Sequence, residues 1–293
     1  MKYTFLIGFI LFFALKGSSQ DLLDLVKDEE VAEKAHNAFK SPRVISSHSM
    51  EMLAAGALDF RILHRFGKVN QGFNELFGLD NATMRMGFDY GITKNLTVGI
   101  GRSTIKKELD GFLKYRILWQ STGPKSIPVT LIWTSGILRN GLENPLSDPE
   151  LKVTQERRLS YYHQLIIGRK FADRFSIQLS PILVHSNIVD NILIPNDLYA
   201  LGLGARYKFN KRMAIVIDYT FPFNNFPRDY SKHPLSIGID IETGGHVFQL
   251  HFSNAEGMNE RALLNEENGN WFDGDIQFGF NLSRIFQIKK NKI

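Results

Sequence analysis

The chain contains no cysteine. That excludes structural disulfides, thiolate catalysis, cysteine-attached haem, cysteine-ligated zinc and lipid attachment at an N-terminal cysteine. Past its first residues it has no apolar run approaching the ~20 residues that a helical membrane span requires. Like charges are never grouped in a long block: 35 Lys and Arg against 30 Asp and Glu give a formal charge of +5, scattered along the sequence. So dispersed an excess leaves no footprint for nucleic acid, and no such partner is expected. No HExxH occurs, and His64, His246 and His251 stand alone in the sequence, so no zinc-hydrolase motif is present. No metal or cofactor is implied.

What is present in the 293 residues is a 43% hydrophobic content with 22% charged, which suits neither a disordered chain nor a helical membrane bundle. Lys2 is followed by an apolar stretch from Tyr3 to Leu15, then Lys16, Gly17, Ser18 and Ser19. This reads as a secretory signal peptide over 1–19, cut before Gln20. The mature chain is therefore expected outside the cytoplasm. Without a helical span, it either stays soluble there or crosses a membrane as a closed barrel. Residues 20–43 read as a separate segment. Leu22, Leu23, Val26 and Val31 form an apolar stripe, with Asp28, Glu29, Glu30 and Glu33 on the wetter side. That pattern predicts a helix over Asp21 to Lys40, serving as a periplasmic arm, a plug or a partner-binding segment.

From residue 44 to 293 the signal is period two. Met84, Met86, Phe88 and Tyr90 alternate with Thr83, Arg85, Gly87 and Asp89. Leu58, Phe60, Ile62 and Phe66 alternate with Asp59, Arg61, Leu63 and Arg65. Similar stretches fall at 57–66, 81–90, 95–103, 110–120, 127–136, 158–168, 174–184, 198–208, 212–221, 234–243, 246–254 and 274–285. Many span about 9–11 residues, the length of a tilted strand crossing a bilayer, whereas ordinary strands average about 5–6. A polar row rich in Arg, Asp and Gly suits a wet or ion-paired interior, and aromatics such as Tyr90, Trp119, Phe171 and Phe221 sit where interfacial girdles would lie. The fold class expected is all-β: a transmembrane antiparallel β-barrel of about twelve strands with a short N-terminal helix. Short connections alternate with longer ones, and an even strand count places both termini in the periplasm, with the barrel in the outer membrane of a Gram-negative bacterium. The alternating stretch from Val44 to Met52 reads as an inner segment or periplasmic lead-in, since another strand would break the parity. Pro181 interrupts a strand pattern and is expected at a bulge or at the strand's exit near the rim.

Three stretches carry a family resemblance. Ser41-Pro42-Arg43-Val44 with LDFRILHRFG from Leu58 to Gly67 is the first; ETGGHVFQLHFSN from Glu242 to Asn254 is the second; WFDGDIQFGFNLSRIF from Trp271 to Phe286 is the third. With the strands between them, the chain resembles the Bacteroidetes outer-membrane β-barrel family of unknown function, DUF5777. The resemblance implies an envelope location and a single barrel domain, and it brings no catalytic residue.

The candidate lumen-lining residues are Arg61, Arg65, Arg85, Asp89, Lys114, Arg116, Arg206, Asp218, Asp240, Glu242 and Asp275. Charges of both signs inside a barrel have two readings. They are paired structural groups, because poorly hydrated charges need partners, or they are a charged wall that selects small polar or anionic solutes. An enzyme is not expected. His163 lies on an outward row, but spacing assigns it neither a serine nor an acidic partner. The Asn- and Asp-rich stretch from Asn265 to Asp275 lacks calcium-loop spacing. Two functions remain: a small passive channel for polar or anionic solutes, and a non-conducting envelope scaffold or accessory subunit. The partners expected are outer-membrane lipid and a protein bound through the N-terminal segment or the external loops.

Overall fold

The computed structural model describes residues 31–143, 145, 153–189, 194–224, 232–266 and 268–289. The expected signal peptide and most of the expected N-terminal helix lie outside the described residues. The barrel wall is built from β1 (Ala57–Lys68), β2 (Ala82–Thr93), β3 (Leu96–Ser103), β4 (Leu109–Leu118), β5 (Thr130–Arg139) and β6 (Leu159–Lys170). It continues with β7 (Phe175–Ser186), β8 (Asp197–Lys208), β9 (Met213–Pro222), β10 (Leu235–Thr243), β11 (His246–Ser253) and β12 (Gln277–Gln287). Each strand pairs antiparallel with its neighbours in sequence, and β12 closes the ring on β1 from Gln277↔Lys68 to Gln287↔Ala57. Closure removes both sheet edges, which is what a strand structure in hydrocarbon requires.

The alternation in sequence becomes alternation across the wall. In β2, Met86 and Phe88 face outward and are exposed, while Arg85, Gly87 and Asp89 are buried on the inner side. Ile100, Ile117, Leu179, Ile237 and Phe252 continue the outward apolar surface around the ring. Large apolar groups outside and charged groups inside invert the arrangement of a soluble protein, and lipid is the solvent that makes it stable. Gly99 shows why small residues fall on the inner row. A Cβ there would come within 2.3 Å of the Phe112 ring and 2.5 Å of Asp89 Oδ1.

Three details differ from the sequence reading. The described part of the expected helix, residues 31–40, is not helical. Glu33–Lys34 pairs with Ser121–Thr122, Ala35 N donates to Gln120 O at 2.8 Å, and Trp119 Nε1 donates to Ala35 O at 2.7 Å. These bonds to the β4–β5 turn take backbone groups that a helix would use internally. Trp119 accordingly folds over the mouth instead of standing in a lipid-facing girdle. Pro181 marks neither a bulge nor an exit: it faces outward within β7, its pairing with β8 runs through Leu201↔Pro181, and the β6 ladder keeps one register from Gln164↔Ile182 to Ile167↔Leu179.

The interior is not uniformly charged. Ile132, Ile166, Ile182, Val184, Leu198, Ala214 and Val216 give the β5–β9 side of the inner surface an apolar character. Facing it, β1–β4 and β10–β12 carry most of the inner charge. Phe88→Arg, which puts a cation on the outer row of β2, should destabilise the barrel by about 2–4 kcal/mol if the site lies near the bilayer midplane. Urea unfolding of barrels folded into lipid vesicles measures this, and an unchanged midpoint would contradict the lipid-facing assignment.

Candidate functional site

The space within the wall is filled from both ends. From the periplasmic end the chain enters the lumen, and every residue from Ser41 to Met50 is buried. It reverses tightly there: Val44 N donates to Ser47 O and Ser49 N to Pro42 O, both at 2.9 Å, with Arg43 bridged to His48. The stretch from Val44 to Met52 is thus an inner segment and adds no strand to the wall. The filling extends on both sides of residue 43, and the wall itself begins at Ala57.

The wall supplies polar partners to this reversal. Asp218 of β9 accepts the N–H groups of Ile45, Ser46 and Ser47 at 3.2, 2.9 and 3.0 Å on one carboxylate oxygen, and the Ser47 hydroxyl at 2.7 Å on the other. Successive N–H groups converging on a carboxylate form a compact anion nest. Gln178 accepts from Met50 N and donates to His48 O, both at 2.8 Å. Gln249 donates to Val44 O at 2.6 Å and Asn281 to Ile45 O at 2.9 Å. Lys114 Nζ donates to Glu51 O at 2.6 Å and Pro42 O at 3.2 Å. Apolar packing completes the seat, with Phe39, Val44 and Met50 clustered against Ile132 and Ile166. Gly168 of β6 leaves room for Met50, whose sulfur would lie 2.1 Å from an added Cβ.

From the external end the β11–β12 connection folds inward. Its helix α1 (Glu260–Asn265) is buried throughout and is capped by Asn259 Oδ1, which accepts from Ala262 N at 2.9 Å. Leu264 packs with Tyr162, Val184 and Leu198 of the apolar side. Arg261 is ion-paired with Glu108 and, at 2.7 Å, with Glu266; Lys106 reaches Glu266 at 2.8 Å. The two fillings meet at Glu260, which takes Arg43 Nη1 at 3.3 Å and His48 N at 3.2 Å. His48 Nε2 lies 3.0 Å from the Tyr162 hydroxyl.

Most of the residues singled out from sequence face this interior. Arg61 pairs with Asp59 and donates to Ser41 Oγ at 2.5 Å. Arg65 reaches Ser46 Oγ at 2.8 Å. Arg85 grips Asp110, with Nε donating to Oδ1 at 2.8 Å. Arg206 lies 3.4 Å from Asp240 and 3.3 Å from Glu242, which also holds Lys40 at 3.0 Å. Asp89 is buried beside Gly99 and directly opposite Asp59. Asp275 is a correction: it lies in the external β11–β12 connection, not in the lumen, where it accepts from Asn70 Nδ2 at 2.9 Å and sits 3.6 Å from Lys68. Residues that sequence reasoning missed include Glu108, Asp110, Gln178, Gln249, Glu260 and Asn281. Their partners lie on other strands or on the filling, so spacing carried no signal. His163 also gains a partner unseen in sequence, Ser135 on the neighbouring strand, at 2.9 Å on the outer surface. Among the described residues no group of three or more His, Cys, Asp or Glu is placed to hold a metal ion.

A closed ring of antiparallel strands with an apolar exterior and a polar, filled interior defines an outer-membrane β-barrel. Residues 39–286 match the family model described as membrane bound beta barrel domain (DUF5777), and the chain belongs to that family. Among solved structures, the NanC porin is 8% identical with a TM-score of 0.50, over 78% of this chain and 99% of the porin. The KdgM porin is 8% identical with a TM-score of 0.42, over 78% and 98% of the two chains. An outer membrane channel from Pseudomonas putida F1 is 14% identical with a TM-score of 0.42, over 81% and 98%. At such identities the likeness is one of fold. No curated protein matches the chain.

Asp218→Ala removes the acceptor of the anion nest and should weaken the seat by about 3 kcal/mol or more, since several hydrogen bonds to one charge are lost. Because the chain has no cysteine, Ser46→Cys gives a unique reporter. Maleimide labelling should be slow in that single variant and fast when Asp218→Ala is added; equal rates would contradict the nest. The external filling has a pH signature. Burial pushes the Glu266 carboxyl up, but Arg261 and Lys106 outweigh it and hold it below its ordinary value of 4.5. A depressed carboxyl stabilises above its unfolded pKa, and that contribution is lost as pH falls through the folded value. Thermal melting of Glu266→Gln should therefore lie below the parent at pH 7 and converge with it in acid, once the pH has fallen below the depressed folded value.

Proposed function

We propose that this protein is a channel-type outer-membrane barrel held shut at rest by its own N-terminal segment. The observation that carries the reading is the reversal from Ser41 to Met50, seated in the lumen and bonded to Asp218, Gln178, Gln249, Asn281 and Lys114. Passage of a polar solute then requires that segment to move. It leaves through the periplasmic mouth, so a periplasmic protein that engages the chain ahead of Ala35 has a handle on the filling. Selection of anions has less support than passage of small polar solutes in general. On the wall, the six cations Arg61, Arg65, Arg85, Lys114, Arg116 and Arg206 are equalled in number by the carboxylates Asp59, Asp89, Asp110, Asp218, Asp240 and Glu242.

A second reading, the non-conducting scaffold, draws on the same bonds. Each hydrogen bond to a charged group contributes about 1.5–3 kcal/mol, and several act together to resist withdrawal. Planar-bilayer recording separates the two. The mature chain should be silent, and deletion of residues 21–53 should give steady conductance, with a compact band on unheated gels showing that the variant has folded. Steady conductance of the intact chain would remove the plugged reading. A folded deletion variant that stays silent would leave the scaffold.

A further inference from the structure

Arg116 of β4 is about 95% buried, at 5% exposure, yet its guanidinium has no hydrogen bond or ion pair among the described residues. Every other buried arginine on the wall answers a carboxylate or a polar group of the filling. Glu51 attracts Arg116 without reaching hydrogen-bond or ion-pair distance, and a native fold retains a buried cation with unused donors where something else completes it. Arg116 has that opportunity, because it lines a cavity of about 460 Å³ at the periplasmic mouth. The guanidinium carbon lies over Trp119, 3.8 Å from the ring centroid, and His36 meets that ring edge-on at 4.9 Å. The stack fixes the guanidinium in orientation while leaving its donors unused.

The rest of the lining specifies what fits. Lys94, exposed on the β2–β3 turn, adds a second cation at the rim. Glu51 is the one carboxylate lining the cavity, and its Oε1 is taken by the N–H groups of Ala38 at 2.5 Å and Phe39 at 3.2 Å. Met52, Leu53 and Ile92 supply apolar wall. We propose that this cavity binds a small organic anion from the periplasm, with a carboxylate or phosphate head on Arg116 and a short apolar body against the Met52–Ile92 side. A planar fork presents two parallel donors to such a head, and a pocket of this volume lies within the range of small-molecule sites. The proposal does not depend on whether the barrel conducts.

Trp119 reports on the site directly. In the full mature chain carrying Trp133→Phe and Trp271→Phe, it is the sole tryptophan. Titration with hexanoate should give a saturable change in its emission, and hexylammonium, which matches the apolar body but reverses the charge, should give none. Arg116→Gln, shown to be folded by a compact band on unheated gels, should bind hexanoate about tenfold more weakly or not at all. No saturable response, a hexylammonium response of equal size, or undiminished binding by Arg116→Gln overturns the proposal.

Discussion

Most of the barrel interior is buried away from bulk water, so the charges and backbone groups inside it call for partners within the protein. That requirement organises everything from Lys40 to Glu266. The reversal at residues 41–49 leaves successive N–H groups that no strand can satisfy, and Asp218 satisfies them from the wall. Asp218 in turn would be an uncompensated charge without them. Asp59 and Asp89 face one another across β1 and β2, a destabilising arrangement by itself, and Arg61 and Ser283 answer Asp59. The lumen is therefore a protein core with a high polar content, built on the inner surface of a membrane protein.

The two sides of that core divide the work. The apolar inner side from β5 to β9 seats Phe39, Val44, Met50 and Leu264 by burial, each large side chain contributing about 1.5–3 kcal/mol. The charged side fixes register through directional bonds. The periplasmic and external fillings touch at Glu260, so one buried carboxylate belongs to both. A displacement of either filling alters the partners of the other. This contact joins the two fillings across the lumen.

Much of the wall was legible in the sequence, because strand faces are set by a local rule. Met86 and Phe88 had to point one way and Arg85 and Asp89 the other, whatever the rest of the chain did. The register of β12 on β1, the inward apolar row of Ile132, Ile166 and Ile182, and the loop position of Asp275 were not local in this sense. The run from Val44 to Met52 alternates like a strand yet folds back on itself, because its backbone partners are side chains from β4, β7, β9, β11 and β12. The stripe expected to make a helix before Lys40 gave way, in its described part, to bonds with the β4–β5 turn. Pro181 was tolerated without a bulge because the ladders on both sides held their register around one missing donor.

Sequence by itself determined that this chain is exported, that it crosses the membrane in strands, and which side chains of those strands meet lipid. Those properties follow from a two-residue period and from the thickness of a bilayer, both readable along a single segment. Only the tertiary structure decided what occupies the space the strands enclose. Filling a lumen depends on which distant groups satisfy one another across it, and the partners of Asp218, Glu260 and Arg116 are set by ring closure, not by spacing along the chain.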